Sequence, residues 1–281
     1  MPELPEVEIV KRGMAPAFEG QVIARVILNR PDLRFPIPVD LPESLRGQAV
    51  KRLARRGKYV LCFVESGVGF VLHLGMSGVI KVLAAGEAYE PKKHDHVVFE
   101  MGDGGRVVFN DARRFGSLLS CHEDSWHLDA PFLKMGPEPL GNGFHGQALF
   151  AALQKRKSPV KAALLDQGVV AGVGNIYACE ALFMASVSPL RAACDVSADE
   201  CEALARAVRD VLAQAIEAGG SSLRDYRNTK GDLGYFQHHF RVYDRAGHVC
   251  PQCEQSGTQA PLVRRVVQSG RSSFYCAQCQ S

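Results

Sequence analysis

The chain contains no run of about 18 apolar residues, so no segment of it reads as a membrane-spanning helix. It has no internal repeat and no low-complexity tract, which removes solenoid and tail architectures. It lacks the basic-then-apolar opening of a secretory signal, because the first six residues, Met-Pro-Glu-Leu-Pro-Glu, are acidic and proline-rich. It also lacks a disulfide framework. Nine cysteines is an odd number, and Cys62, Cys121, Cys179, Cys194 and Cys201 follow no regular spacing, as expected for reduced thiols in the cytosol. Net charge is small, +3 over 281 residues, so the distribution of charge carries more information than its sum. Composition is that of a folded protein, and the length suits two domains with a small additional module.

The four other cysteines are regular. They form Cys250-Pro-Gln-Cys253 and Cys276-Ala-Gln-Cys279, separated by 22 residues. Each tight CxxC turn can aim two sulfurs at one ion, and two such turns complete a tetrahedral shell of the kind Zn²⁺ takes in structural sites. The competing reading is a set of redox dithiols. A closed site of four thiolates has no open position for catalysis, so the chemistry is to be sought elsewhere.

Three stretches carry cations without a neighbouring acid: Lys51, Arg52, Arg55, Arg56 and Lys58; Lys155, Arg156, Lys157 and Lys161; and Arg264, Arg265 and Arg271. Any one would pass as a solvated face. Three together, one of them between the cysteine pairs, point to phosphate neutralisation and a nucleic-acid partner.

Residues 2–19 predict a helix, with Val7, Val10, Met14 and Phe18 on one stripe, Pro5 in the first turn, and Glu3, Glu6 and Glu8 at the positive end of the dipole. From about 20 to 130 the pattern turns to short strands, among them 59–64, 69–74, 79–83, 96–100, 106–109 and 117–120, which predicts a sandwich or barrel. Beyond Pro131 it is helical, over 146–156, 159–167, 175–185 and 198–218. The last has a capping-box pair in Ser197 and Glu200. The expected division is 1–132, 133–222 and 223–281, with the cysteine module over about 241–281.

Several residues could carry chemistry. Loss of Met1 would expose the secondary amine of Pro2. An α-amino group titrates near pH 8, and a secondary amine converts an aldehyde-level carbon directly into an iminium. A carboxyl beside it, Glu3 or Glu6, could serve as acid and base. Lys58 opens a strand after the first basic cluster and is either a proton or phosphate group or plain surface charge. Gly172-Val-Gly-Asn175 opens a helix and could cradle a phosphate, but it lacks the third glycine of a dinucleotide fingerprint. Met76 and Phe115 sit beside turn glycines. They suit a core, or wedges that fill a gap in a duplex.

Taken together, Met1–Glu8, Gly57–Tyr59, His73–Gly78, Lys93–Val97, Arg113–Gly116, Gly136–Leu140, Gly172–Ala178, Gly234–Phe236 and Gly270–Gln280 resemble, over nearly the whole length, formamidopyrimidine-DNA glycosylase. The resemblance implies an α+β multidomain fold: an N-terminal helix with a β-sandwich, a helix–two-turns–helix domain, and a C-terminal zinc-finger hairpin stapled by four cysteines. It implies Pro2 as nucleophile, Glu3 as the acid assisting ring opening and base departure, and Lys58 as proton donor in strand cleavage. Arg271 would hold phosphate and assist the last elimination. His94, Arg113, Arg156 and Asn175 would contact DNA, and Met76, Arg113 and Phe115 would fill the void left by a flipped nucleotide. One structural zinc ion on Cys250, Cys253, Cys276 and Cys279, a double-stranded DNA partner with oxidised purines or abasic sites, no membrane, a monomer and a cytosolic location complete the expectation. Two departures stand out: Glu254 replaces a usual glycine, and the segment from 254 to 275 is longer than usual. The alternatives are the sister endonuclease VIII group, which usually has glycine where this chain has Leu4, and a zinc-finger DNA-binding protein without catalysis.

Overall fold

The computed structural model describes residues 1–222, 226–257 and 261–281. The chain divides into two compact units: 1–133 with 218–235, and 134–217 with 236–281. This differs from the three-part division expected above. The 218–235 excursion groups with the first unit because it packs on the N-terminal helix, and the cysteine module groups with the helices. The 222/223 boundary abuts 223–225, which, like 258–260 in the longer cysteine-module loop, lies outside the described residues.

In the first unit, α1 (Leu4–Phe18) buries the predicted stripe, with Val7, Val10, Met14 and Phe18 all at 1% exposure or less. Gly13 lies against the side chain of Thr229, where a Cβ would come within 2.1 Å of Oγ1, so only glycine allows this packing. After α1 come β1 (Val22–Leu28), α2 (Leu41–Leu45), β2 (Gln48–Arg56), β3 (Tyr59–Val64), β4 (Val68–His73), β5 (Gly78–Leu83), β6 (Asp95–Met101), β7 (Arg106–Asp111) and β8 (Ser117–His122). They form one antiparallel sheet in the order β5-β7-β6-β1-β2-β3-β4-β8. Its two halves are joined by the short pairing of Val22 and Ile23 with Ala49 and Gln48. The halves close on each other as a sandwich: Phe70 of β4 stacks on Phe99 of β6 with centroids 5.0 Å apart, although three strands stand between β4 and β6 in the sheet order. Phe18 of α1 stands edge-on to both rings. Burying aromatic rings of this size removes a large apolar area from water, which makes this cluster the centre of the unit's core.

The second unit holds α3 (Gly146–Leu153), α4 (Val160–Leu165), α5 (Asn175–Met184) and α6 (Ala198–Glu217), followed by α7 (Pro251–Gln255) and a hairpin of β9 (Arg264–Gln268) and β10 (Arg271–Tyr275). The predicted capping box is present: Ser197 N–H donates to Glu200 at 2.8 Å, and Glu200 N–H donates back to Ser197 Oγ at 3.3 Å. Glu254 lies inside α7, one helical turn after Cys250, whose carbonyl accepts its N–H. That turn needs no glycine there. A sequence signal was absent for the tie between α5 and the segment leading to the cysteines. Glu180 of α5 is fully buried and accepts the N–H groups of Arg241, Val242 and Tyr243 at 2.8–2.9 Å. Burial pushes its carboxyl above the ordinary range, against the pull of these three bonds.

Candidate active site and nucleic-acid-binding residues

Pro2 and Glu3 are buried at the head of α1, behind a half-exposed Met1. Glu3 is the extended N-cap of the helix and forms a capping box with Glu6, whose Oε2 accepts the Glu3 N–H at 2.8 Å. The other oxygen, Glu6 Oε1, accepts the Ser221 N–H at 2.8 Å. Glu6 therefore joins the N-terminal segment to the 218–235 excursion. Its position at the start of a helix suggests only a role toward the dipole; the Glu3-x-x-Glu6 spacing was the available signal for the first of its two arms.

Lys58 follows Gly57, which has φ +56°, in the tight turn from β2 to β3. It is 8% exposed, so the surface-charge reading fails. Arg55 donates to the Gly57 carbonyl at 3.0 Å and to Glu8 at 2.9 Å. Burial works to raise the Glu8 pKa, but the hydrogen bonds from Lys11, Arg12 and Arg55 outweigh it and hold the carboxyl below its usual range. Beside this turn, His73 of β4 pairs with Tyr59 in register, its ring 4.7 Å from the tyrosine ring. Its Nδ1 accepts the Gly75 N–H at 3.1 Å, which requires a neutral ring with its proton on Nε2.

Burial first, then the charges of Lys58 and Arg34, bring the His73 pKa down from 6.5 to about 4. A histidine held neutral in the fold, yet free to protonate when unfolded, contributes stability that is complete above about pH 6.5 and is lost as pH falls toward 4. The full shift corresponds to about 3 kcal/mol. Denaturant midpoints of wild type and His73→Gln are expected to diverge over that window, the wild type showing the steeper fall. Parallel curves would contradict the neutral assignment.

The loop carrying Met76 and the loop carrying Arg113 and Phe115 meet. Arg113 N–H donates to Ser77 Oγ at 3.1 Å, and the Arg113 guanidinium lies 4.8 Å from the centre of the Phe115 ring. Met76 and Phe115 are 38% and 43% exposed, so neither is a core residue. His94 borders the second loop through its carbonyl, which accepts the Asp111 N–H.

In the second unit Asn175 heads α5 and donates from Nδ2 to the Ser272 carbonyl at 3.0 Å, next to Arg271 at the start of β10. Lys161 of α4 is 1% exposed and donates to the Ser272 carbonyl and to Ser273 Oγ at 2.8 and 2.7 Å. Lys161, Asp166, Gln268 and Arg271 line a cavity of about 350 Å³.

Two of the three acid-free basic clusters of the sequence meet acids in space. Lys51 and Arg52 pair with Glu123 at 2.8 and 2.9 Å, Arg55 with Glu8, and Arg156 with Asp166 at 2.7 Å. Lys161 is an internal hydrogen-bond donor. These pairings offset part of the charge that counting along the sequence assigns to the first two clusters.

Cys250, Cys253, Cys276 and Cys279 place their sulfurs within 4.8 Å of one another. A tetrahedron with metal–sulfur bonds of about 2.3 Å has edges of about 3.8 Å. The Cys250–Cys279 and Cys253–Cys276 separations are 3.7 and 3.8 Å, and Cys253–Cys279 is tighter at 3.2 Å. The Cys279 N–H also points at Cys276 Sγ, at 3.4 Å, as befits a sulfur carrying negative charge. The four residues fit one metal ion.

A buried proline at position 2 with an adjacent acid, on a sandwich followed by helices and a four-cysteine hairpin, points to a class of DNA-repair glycosylase. Residues 1–118 match the formamidopyrimidine-DNA glycosylase N-terminal domain and residues 135–227 the H2TH domain of the same enzymes. Formamidopyrimidine-DNA glycosylases of Ruegeria pomeroyi and Rhodospirillum rubrum are 53% and 52% identical to the chain, each with full coverage of both proteins. The crystal structure of the MutM (Fpg) protein from Thermus thermophilus has a TM-score of 0.86 at 38% identity, covering 99% of this chain and 98% of that one. A Lactococcus lactis Fpg mutant bound to Fapy-dG-containing DNA gives 0.88 at 29% identity, covering 99% of each. The chain belongs to the formamidopyrimidine-DNA glycosylase family. It is a base-excision-repair enzyme that combines a DNA glycosylase with an abasic-site lyase.

Proposed function

We propose that the enzyme removes oxidised purines, 8-oxoguanine and formamidopyrimidines, from duplex DNA through the amine of Pro2, set free by loss of Met1. The observation that carries this reading is the buried Pro2-Glu3 pair at the head of α1, anchored by Glu6. The target carbon lies within a stacked duplex, so the nucleotide is first flipped out. Pro2 nitrogen then bonds to C1′, and the glycosidic bond breaks with its electron pair leaving on the base. Glu3 supplies a proton as the sugar ring opens, and the amine and C1′ become an iminium. The iminium acidifies the C2′–H. The C2′ proton is lost to water, the C–H electron pair forms the C2′–C3′ double bond and expels the 3′ phosphate, and Lys58 donates a proton to the departing phosphate oxygen. A second elimination, assisted by Arg271, expels the 5′ phosphate and leaves a one-nucleotide gap.

His94, Arg113, Arg156 and Asn175 contact DNA in this reading, and Met76, Arg113 and Phe115 occupy the gap in the duplex. Zinc on the four cysteines holds the hairpin and supplies no catalytic step. The enzyme works as a monomer in the bacterial cytosol; among the described residues no helix is long and apolar enough to cross a membrane.

Borohydride is expected to trap a covalent adduct with duplex DNA containing 8-oxoguanine, and intact-mass measurement to show loss of one methionine. Full retention of Met1 alongside full activity would overturn the role of Pro2, because a retained methionine makes its nitrogen an amide.

A further inference from the structure

The loops assigned above to the gap in the duplex are far apart in sequence and joined by one buried carboxylate. Residues 74–77 connect β4 to β5 and carry Met76; residues 112–116 connect β7 to β8 and carry Arg113 and Phe115. Asp111, fully buried at the end of β7, accepts the Ser77 hydroxyl at 2.6 Å on Oδ1 and the Gly116 N–H at 2.8 Å on Oδ2. The Ser77 oxygen, its proton directed at Asp111, accepts the Arg113 N–H at 3.1 Å. Ser77 thus reaches from the first loop to the start of the second, and the other oxygen of Asp111 holds the second loop's far end. The backbone of Asp111 is held as well: its N–H donates to the His94 carbonyl at 3.0 Å, and its carbonyl accepts from His96 Nε2 at 2.8 Å. Gly75 adds a second contact between the loops. It has φ +63°, and a Cβ there would come within 2.4 Å of the Phe115 and Gly116 backbone.

We propose that the Ser77–Asp111 pair is a latch that makes the two loops a single rigid wedge, and that Ser77 and Asp111 are positioning residues for nucleotide extrusion. The proposal rests on the reading of Met76, Arg113 and Phe115 as gap-filling side chains. The physical reason is pre-organisation. Prying a base step open is costly in itself. Loops that also had to be ordered at that moment would add their conformational entropy to the barrier. A hydroxyl bonded to a buried carboxylate is among the stronger hydrogen bonds available, and it sits beneath both exposed tips.

The test uses the full-length protein with Ser77→Ala, which removes the hydroxyl, and Ser77→Thr, which keeps it. Two readouts need the wedge: single-turnover incision of 8-oxoguanine in duplex DNA, and fluorescence of 2-aminopurine placed opposite a stable abasic analogue. A third does not: borohydride trapping on single-stranded abasic DNA, where there is no partner strand and no gap. Ser77→Ala is expected to slow both duplex readouts about tenfold and leave single-strand trapping unchanged. Ser77→Thr is expected to restore the duplex rates.

Equal loss on single-stranded DNA, or no rescue by threonine, would overturn the latch. Met76→Ala and Phe115→Ala separate the two levels. If they impair insertion while Ser77→Ala does not, the latch is wrong and the wedge stands. If none of the three has an effect, the wedge reading fails and the latch with it.

Discussion

Pro2→Thr is expected to reduce the borohydride-trapped adduct with 8-oxoguanine duplex by at least about a thousandfold, while binding to an uncleavable abasic analogue persists. The proline nitrogen is secondary, so its addition product with C1′ loses its oxygen substituent to give an iminium directly. A primary amine from threonine is not held by a ring and meets the sugar in many more rotamers. The position also tolerates the change structurally. Pro2 lies outside the helix, before the Glu3 N-cap, and the helix start is secured by the Glu3–Glu6 box and by Pro5. Mass spectrometry of the variant should confirm that Met1 is removed from it as well. Glu3→Gln provides the complementary result: the amine remains and still traps preformed abasic sites, while release of 8-oxoguanine falls. An adduct from Pro2→Thr as strong as the wild type would sink the assignment of the nucleophile.

Local pattern made much of this architecture legible. The apolar run 59–64 is predicted and found as β3, whose interior positions are all buried. The stripe of α1 and the capping box of α6 are read directly from spacing. By contrast, β2 reads only as part of a basic cluster: Lys51, Arg52, Arg55 and Arg56 outnumber its buried Val50 and Leu53, and a register irregularity between Val50 and Arg52 breaks the alternation a strand would show. The partners of Lys51, Arg52 and Arg55 are Glu123 and Glu8, beyond β8 and on α1. Such pairing is a property of the sheet order and cannot be counted along the chain. The same holds for the site. Pro2, Glu3 and Lys58 announce themselves by chemistry and motif. Glu6's hold on Ser221, the neutral state of His73 and the Ser77–Asp111 bond depend on segments that only the fold brings together.

Cys276→Ser is expected to abolish zinc binding, measured by metal analysis, and to lower DNA binding and incision by about a hundredfold or more. Beyond the cysteines, the hairpin is tied by hydrogen bonds from Lys161 and Asn175 and by Gln268 to the Pro189 carbonyl. A two-stranded ribbon is marginal alone in water, and β9 and β10 share five register pairs. Their apolar support is a small cluster of Val242, Val263 and Phe274 with Cys179, Phe183 and the clustered cysteines Cys250, Cys253 and Cys276. Removing one thiolate therefore removes both a metal ligand and part of that cluster. The consequence reaches Arg271, which opens β10 five residues before Cys276. It also reaches Lys161, whose bonds to the Ser272 carbonyl and Ser273 hydroxyl are made to that strand. A buried lysine that loses acceptors is costly, so α4 would be disturbed along with the hairpin. Chelation of the wild-type protein should reproduce the defect, and added zinc should reverse it in the wild type but not in Cys276→Ser. If the cysteines were instead a redox dithiol pair, incision would respond to oxidant and reductant and ignore the chelator. That outcome, or a zinc-free Cys276→Ser protein with wild-type incision, would remove the metal from the account.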